Sequence, residues 1–215
     1  MQRVSQMYKY IIFDIDGTLI DNDYALLHSL QDTIIHTQNR NIDIDKLTFT
    51  LGITSEDALR KLGIDNIATT IETWNKYLEL YQSSISLFDG ITDVLASLIE
   101  MGYKLGVVTS KTRQEYIDDF VPFGISNLFE ITICADDTNH HKPSPKPLLE
   151  FINLSKINTN EAIYIGDSLY DYECAKGAKV DFGVALWGGN RATRDDAKYH
   201  FHTPKQILET FSSSQ

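Results

Sequence analysis

Two carboxylates, Asp14 and Asp16, stand two residues apart in "YIIFDIDGT", directly after a run of bulky apolar residues and just before Gly17 and Thr18. A run of that kind reads as a strand buried on both faces, so both acids emerge where a core strand ends. Three other stretches end in groups useful to the same chemistry. "KLGVVTS" closes on Thr109 and Ser110, "HHKPSP" holds Lys142 against Pro143, and "AIYIGDSLYD" delivers Asp167 and Asp171. In a parallel sheet these strand ends share one edge, and the hydroxyls, the lysine and the aspartates converge there. That inventory suits phosphoryl transfer assisted by Mg²⁺. The ion takes a few carboxylate oxygens and completes an octahedron with water and substrate phosphate. One carboxylate can attack phosphorus, giving an acyl phosphate that water then cleaves. A second carboxyl protonates the leaving oxygen and later takes a proton from the water. A lysine and a hydroxyl hold the equatorial oxygens while charge redistributes. Gly17 lets the chain turn sharply behind the pair.

The elements that must position these groups are visible as patterns. Short Ile/Val-rich runs at 10–13, 104–109, 131–134, 162–166 and 181–186 alternate with helical periodicities. Ile91, Val94, Leu95, Leu98 and Ile99 form one apolar stripe closed by Gly102. Thr203 is expected to cap a last helix with Pro204 at its first position. The alternation predicts an α/β fold, a Rossmann-like parallel sheet flanked by helices.

One interval breaks the rhythm. Residues 14–103 separate the first two strands, several times the length of a crossover. They read as helices, with Leu26, Leu27, Leu30 and Ile34 on one face and Ile67, Ile71, Trp74, Leu78 and Tyr81 on another. Ser55 is expected to cap a short helix ending at Gly63. The organisation that follows is a core domain of residues 1–20 and 88–215 and an inserted helical cap domain of residues 21–87. The insertion would stand over the strand ends, with 50–61 facing the ligand and hinges near Asp21 and Leu87.

Composition narrows the partners. The 215-residue chain carries a formal charge of −11. Such a surface repels nucleic acid and anionic membranes, so the expected partner is a small phosphorylated metabolite met by local cations. Cys134 and Cys174 sit alone, without zinc spacing, as two reduced thiols of a cytoplasmic protein, monomer or homodimer. No leader or membrane-length apolar run is visible.

"DIDGT", "VVTS", "HKPSP" and "GDSLYD" resemble, in order, the four motifs of the haloacid dehalogenase superfamily of phosphohydrolases. The helical insertion resembles that superfamily's cap. The tail "GVALWGGNRATRDDAKYHFHTPKQIL" is similar to its phosphoglycolate phosphatase-like branch. The resemblance implies Asp14 as nucleophile and Mg²⁺ ligand, and Asp16 as general acid/base, ligating through its backbone carbonyl. It implies Asp167 as third metal ligand, with Asp171 in support. Thr109 and Lys142 would bind the transferring phosphoryl group, and Ser110 would add a backbone amide. Asp16 favours an oxygen leaving group over a halide, hence phosphate ester or anhydride cleavage.

Plainer readings compete at each position. Asp16-Gly17 alone is turn chemistry, Thr109 and Ser110 could finish a strand, and Lys142 could be a solvated loop lysine. His140 and His141 read as surface histidines, and Trp74 as cap core. Arg60 and Lys61 read as a solvated helix face. "GDSL" resembles a serine esterase signature with Ser168 as nucleophile, but no D-x-x-H follows it. A phospho-ligand binder without turnover is the rival from another class. Within the superfamily, pyrophosphatase, nucleotidase and sugar phosphomutase activities stay open. The mutase reading is disfavoured because Leu26 stands where those enzymes carry a histidine, with His28 slightly beyond.

Overall fold

Alternation along one short strand builds both faces of the core. Ile11 and Phe13 pack with Leu105, Val107, Ile163 and Ile165 on one side of the sheet. Tyr10 and Ile12 pack with Val108, Tyr164 and Phe182 on the other. An unbroken apolar run is therefore what this strand requires. The computed structural model describes residues 8–188 and 196–212. Part of the tail motif, residues 189–195, lies outside the described residues.

The strands are β1 (Tyr10–Phe13), β2 (Ile20–Asp21), β3 (Ser86–Leu87), β4 (Lys104–Val108), β5 (Ile131–Ile133), β6 (Ala162–Gly166), β7 (Asp181–Ala185) and β8 (Tyr199–Phe201). The principal helices are α1 (Asp23–Gln38), α2 (Ser55–Lys61), α3 (Ile67–Tyr81), α4 (Ile91–Glu100), the single turn α5 (Arg113–Glu115), α6 (Lys146–Ser155), α7 (Leu169–Ala178) and α8 (Lys205–Ser212). Six strands form one parallel sheet in the order β5-β4-β1-β6-β7-β8. The winding reverses about β1, which lies between β4 and β6, so the crevice for a ligand opens at its carboxyl end. The five runs read from the sequence are all strands. The three-residue edge strand β8 and the antiparallel ribbon of β2 with β3 were not foreseen.

The insertion has a core of its own. Leu27, Leu30 and Ile34 of α1 meet Ala58 and Leu59 of α2 and Trp74 of α3. Two local readings are corrected. Thr54, not Ser55, caps α2: its extended backbone lets its hydroxyl accept from Asp57 N at 3.1 Å. The last helix begins at Lys205, so Pro204 sits in the preceding turn, its carbonyl accepting from Ile207 N. In α4 the stripe of Ile91, Val94, Leu95 and Leu98 is buried while Ile99 faces outward. Cys134 and Cys174 are free, buried thiols, each pushed up to about 12, chiefly by burial. Among the described residues no helix is long and apolar enough to cross a membrane.

Candidate active site

Hydrogen bonding of the sheet type continues past the strand ends and fixes the backbones that carry the site. Asp14 N donates to Ile165 O at 2.9 Å, and Thr109 N donates to Ile133 O at 3.0 Å. Alternation then turns Asp14 to the same face as Tyr10 and Ile12, toward Tyr164. Gly17 follows with φ +71, a left-handed conformation that costs glycine little and lets the loop double back to Ile20.

Asp14, Lys142, Asp167 and Asp171 come together and are almost wholly buried. Lys142 Nζ lies 2.7 Å from Asp171 Oδ1, 2.9 Å from Asp14 Oδ1 and 3.2 Å from the Tyr164 hydroxyl. The approach to Asp14 is a buried ion pair, and no donor besides this ammonium reaches Asp14 Oδ1. Asp171 is the opposite case. Its Oδ1 receives Lys142 and faces the Tyr164 hydroxyl at 2.8 Å, and its Oδ2 receives both the amide and hydroxyl of Ser168. The Tyr164 hydroxyl is also 2.8 Å from Val108 O, so its one proton serves one acceptor at a time. A capping box at the start of α7 sets this geometry, with Ser168 as N-cap and Asp171 three residues on. It also answers the esterase reading, because the Ser168 hydroxyl is engaged by Asp171.

The electrostatics follow from burial. Desolvation first, then Asp171, with Asp16 adding and Lys142 opposing, raises the Asp14 carboxyl to about 7. Burial disfavours charge on Lys142, but Asp14 and Asp171 outweigh it and hold its pKa above the ordinary lysine value. Carboxylate oxygens of Asp14, Asp167 and Asp171 lie within 4.8 Å of one another. Asp171 receives donors on both oxygens, and Asp14 and Asp167 are the other two carboxylates of the cluster that could hold a cation. Clustered buried carboxylates, with one of them resisting ionisation beside a single lysine, fit a hard divalent ion with oxygen ligands. Thr18 Oγ1 reaches Asp167 Oδ1 at 3.3 Å.

Asp16 belongs to a second group. Its Oδ1 accepts from Asn22 Nδ2 and lies 3.2 Å from Lys111 Nζ. Lys111 also donates to Asp119 Oδ2 at 2.7 Å. Burial works against charge on Lys111, yet Asp16, Asp119 and Glu115 raise its pKa. Sequence reasoning missed Lys111 and Asn22. A signal for the lysine existed: it stands between the strand-end Ser110 and the capping box of Thr112 and Glu115, a place that must lie on the sheet edge.

The insertion closes over this second group. Ser110 Oγ donates to Gly52 O at 2.8 Å, and Ser55 Oγ donates to Glu115 Oε1 at 3.0 Å. Gly52 has φ +88, and a Cβ there would meet Ser168 Oγ at 2.7 Å, so the loop can lie this close only as glycine. A cavity of about 600 Å³ remains between insertion and sheet, reaching Asp16, Ser110 and Lys111. The stretch 50–53 with Ser55 lines it, as does one side of Leu26, Trp74 and Leu78, residues whose pattern read only as helix core. Arg60 and Lys61 do not. Arg60 pairs with Glu56 on the surface and Lys61 donates to the Tyr170 hydroxyl. His140 is exposed, and His141 Nδ1 stands 3.4 Å from Asp57 Oδ2.

Acidic residues at parallel strand ends, a buried lysine and an enclosing insertion define a hydrolase of the phosphatase type. A family model described as haloacid dehalogenase-like hydrolase matches residues 11–185, and the chain belongs to that family. The chain is 30% identical over 178 residues, 82% of itself and 81% of the relative, to a candidate pyrophosphatase PpaX of Caldanaerobacter subterraneus. It is 24% identical over 203 residues, 93% of itself and 94% of the relative, to the pyrophosphatase PpaX of Halalkalibacterium halodurans. A Lactobacillus plantarum crystal structure, described as a candidate phosphoglycolate phosphatase, superposes with TM-score 0.86 at 31% identity, covering 95% of this chain and all of that one.

Proposed function

We propose that the chain is a Mg²⁺-dependent phosphatase that hydrolyses a small phosphorylated metabolite through a phosphoryl-Asp14 intermediate. One observation supports this reading above the rest: the deeply buried Asp14 carboxylate stands 2.9 Å from the Lys142 ammonium and within 4.8 Å of carboxylate oxygens of Asp167 and Asp171. Asp14 and Asp167, with the Asp16 carbonyl, would hold Mg²⁺, which supplies charge neutralisation at the phosphoryl oxygens. Asp14 attacks phosphorus. Lys142, fixed by Asp171 and Tyr164, and Thr109, with the Ser110 amide, hold the equatorial oxygens. Asp16 protonates the leaving oxygen, held in orientation by Asn22 and Lys111.

Residues 21–87 act in this proposal as the cap domain, and 1–20 with 88–215 as the core. The ribbon of β2 and β3 lies where the hinges are placed. Relatives named for pyrophosphate and a neighbour named for phosphoglycolate favour a small substrate. Phosphomutase action is disfavoured: His28 packs on the rings of Tyr24 and Tyr81 and does not line the cavity, whereas Leu26 does. Asp14→Asn should lower Mg²⁺-dependent hydrolysis of p-nitrophenyl phosphate by at least about 10⁴-fold. Activity retained by that variant, or equal with and without Mg²⁺, rejects the mechanism.

A further inference from the structure

We infer that the alcohol part of the substrate carries no negative charge. The inference rests on the phosphatase reading above and deepens it. The leaving oxygen must touch the group that protonates it, and Asp16 lines the 600 Å³ cavity. A smaller cavity, of about 430 Å³, opens beside Lys142 and contains Lys61, His140 and His141, but Asp16 is absent from its lining. Asp57 also lines that smaller space and Asp14 does not, so contact with Asp16 alone places the alcohol, and it sits in the other cavity.

That other space is acidic. Besides Asp16, its charged lining consists of Glu79 from α3, Glu115, Asp118 and Asp119 from the segment after β4, and one cation, Lys111. Lys111 is buried and committed to Asp16 and Asp119, so it offers a tail carboxylate or a second phosphate nothing without abandoning them. Among the described residues the insertion contributes no Arg, Lys or His to this wall. Leu26, Leu51, Leu78 and Phe123 supply apolar surface alongside. An anionic tail would be desolvated among like charges. An uncharged or ammonium-bearing alcohol with some apolar surface meets complementary groups, and the volume admits one larger than glycolate. This ordering runs against the substrates for which the relatives are named.

Three esters of one skeleton isolate tail charge: O-phosphoethanolamine, 2-hydroxyethyl phosphate and phosphoglycolate, compared by kcat/KM in the full chain with Mg²⁺. The ammonium and hydroxyl tails should each exceed the carboxylate by at least about tenfold, the ratio shrinking with added salt. Glu79→Lys and Asp118→Lys, both at exposed positions, should each narrow the ammonium-to-carboxylate ratio at least about threefold. Hydrolysis of p-nitrophenyl phosphate together with equal or better turnover of phosphoglycolate or pyrophosphate overturns the inference alone. So does a ratio that neither variant moves. Failure to hydrolyse any ester overturns the phosphatase reading and the inference with it.

Discussion

Lys142 and Lys111 are each buried between two aspartates, Asp14 with Asp171 and Asp16 with Asp119, yet the two groups occupy different surroundings. Lys142 is held against Tyr164 and the start of α7, beside the smaller cavity. Lys111 lines a cavity large enough for an organic group. The inner group is buried and cross-tied by Lys142, Tyr164 and Ser168, which suits reagents whose positions must not change. The outer group borders open space, which suits a proton carrier that must meet varied alcohols.

Exchanging Asp16 for Asn tests that division most severely. It should lower kcat for 2-hydroxyethyl phosphate by about 10²–10⁴-fold. The loss should be far smaller for p-nitrophenyl phosphate, whose leaving phenolate needs little protonation. Equal losses for the two esters would remove Asp16 from proton transfer. Next in size is stability. Lys142→Met leaves Asp14 and Asp171 uncompensated and should cost about 3–5 kcal/mol in urea unfolding of the metal-free protein. Lys111→Met should cost less, because water in the cavity reaches its partners. Identical costs would erase the contrast between the two groups.

Titration sharpens the same point. The Asp14 carboxyl sits near 7 when folded, against an ordinary value of 3.8. Below about pH 4 it is protonated in both states and imposes no penalty. As pH rises through 7 the metal-free folded protein loses stability from this group, by up to about 4 kcal/mol. Thermal melts from pH 4 to 8 should show that slope, and Asp14→Asn or saturating Mg²⁺ should flatten it. The smallest effect is expected behind the cavity wall, where Thr54→Ala should remove the α2 cap at a cost of about 1 kcal/mol.

The inner group was legible in the sequence because each member follows an apolar run or sits in a short motif. Asp14 follows β1, Thr109 follows β4 and Asp167 follows β6. The parallel sheet then does the assembling. The outer group was largely illegible. Lys111 has no periodic partner, and Asn22 matters only because a ribbon two residues long folds it back onto Asp16. Asp118 and Asp119 reach the cavity from the wide helical turn Tyr116–Phe120, whose pattern predicts no strand or ordinary helix. Leu26 and Leu78 satisfy helix periodicity whether they face a core or a void, so their part in the cavity could be seen only in three dimensions. Thr54 and Ser55 are adjacent hydroxyls, and backbone angle alone decides which one caps.

The ribbon also bears on how such a molecule can diversify. Outgoing and returning chain pass side by side, Ile20 opposite Leu87 and Asp21 opposite Ser86, about one strand spacing apart. A foreign segment whose ends lie equally close could be spliced at that neck without lengthening any connection of the sheet. The insertion's share of the alcohol cavity would then travel as an exchangeable cassette, while the acidic wall after β4 and the machinery that handles phosphorus stay behind unaltered.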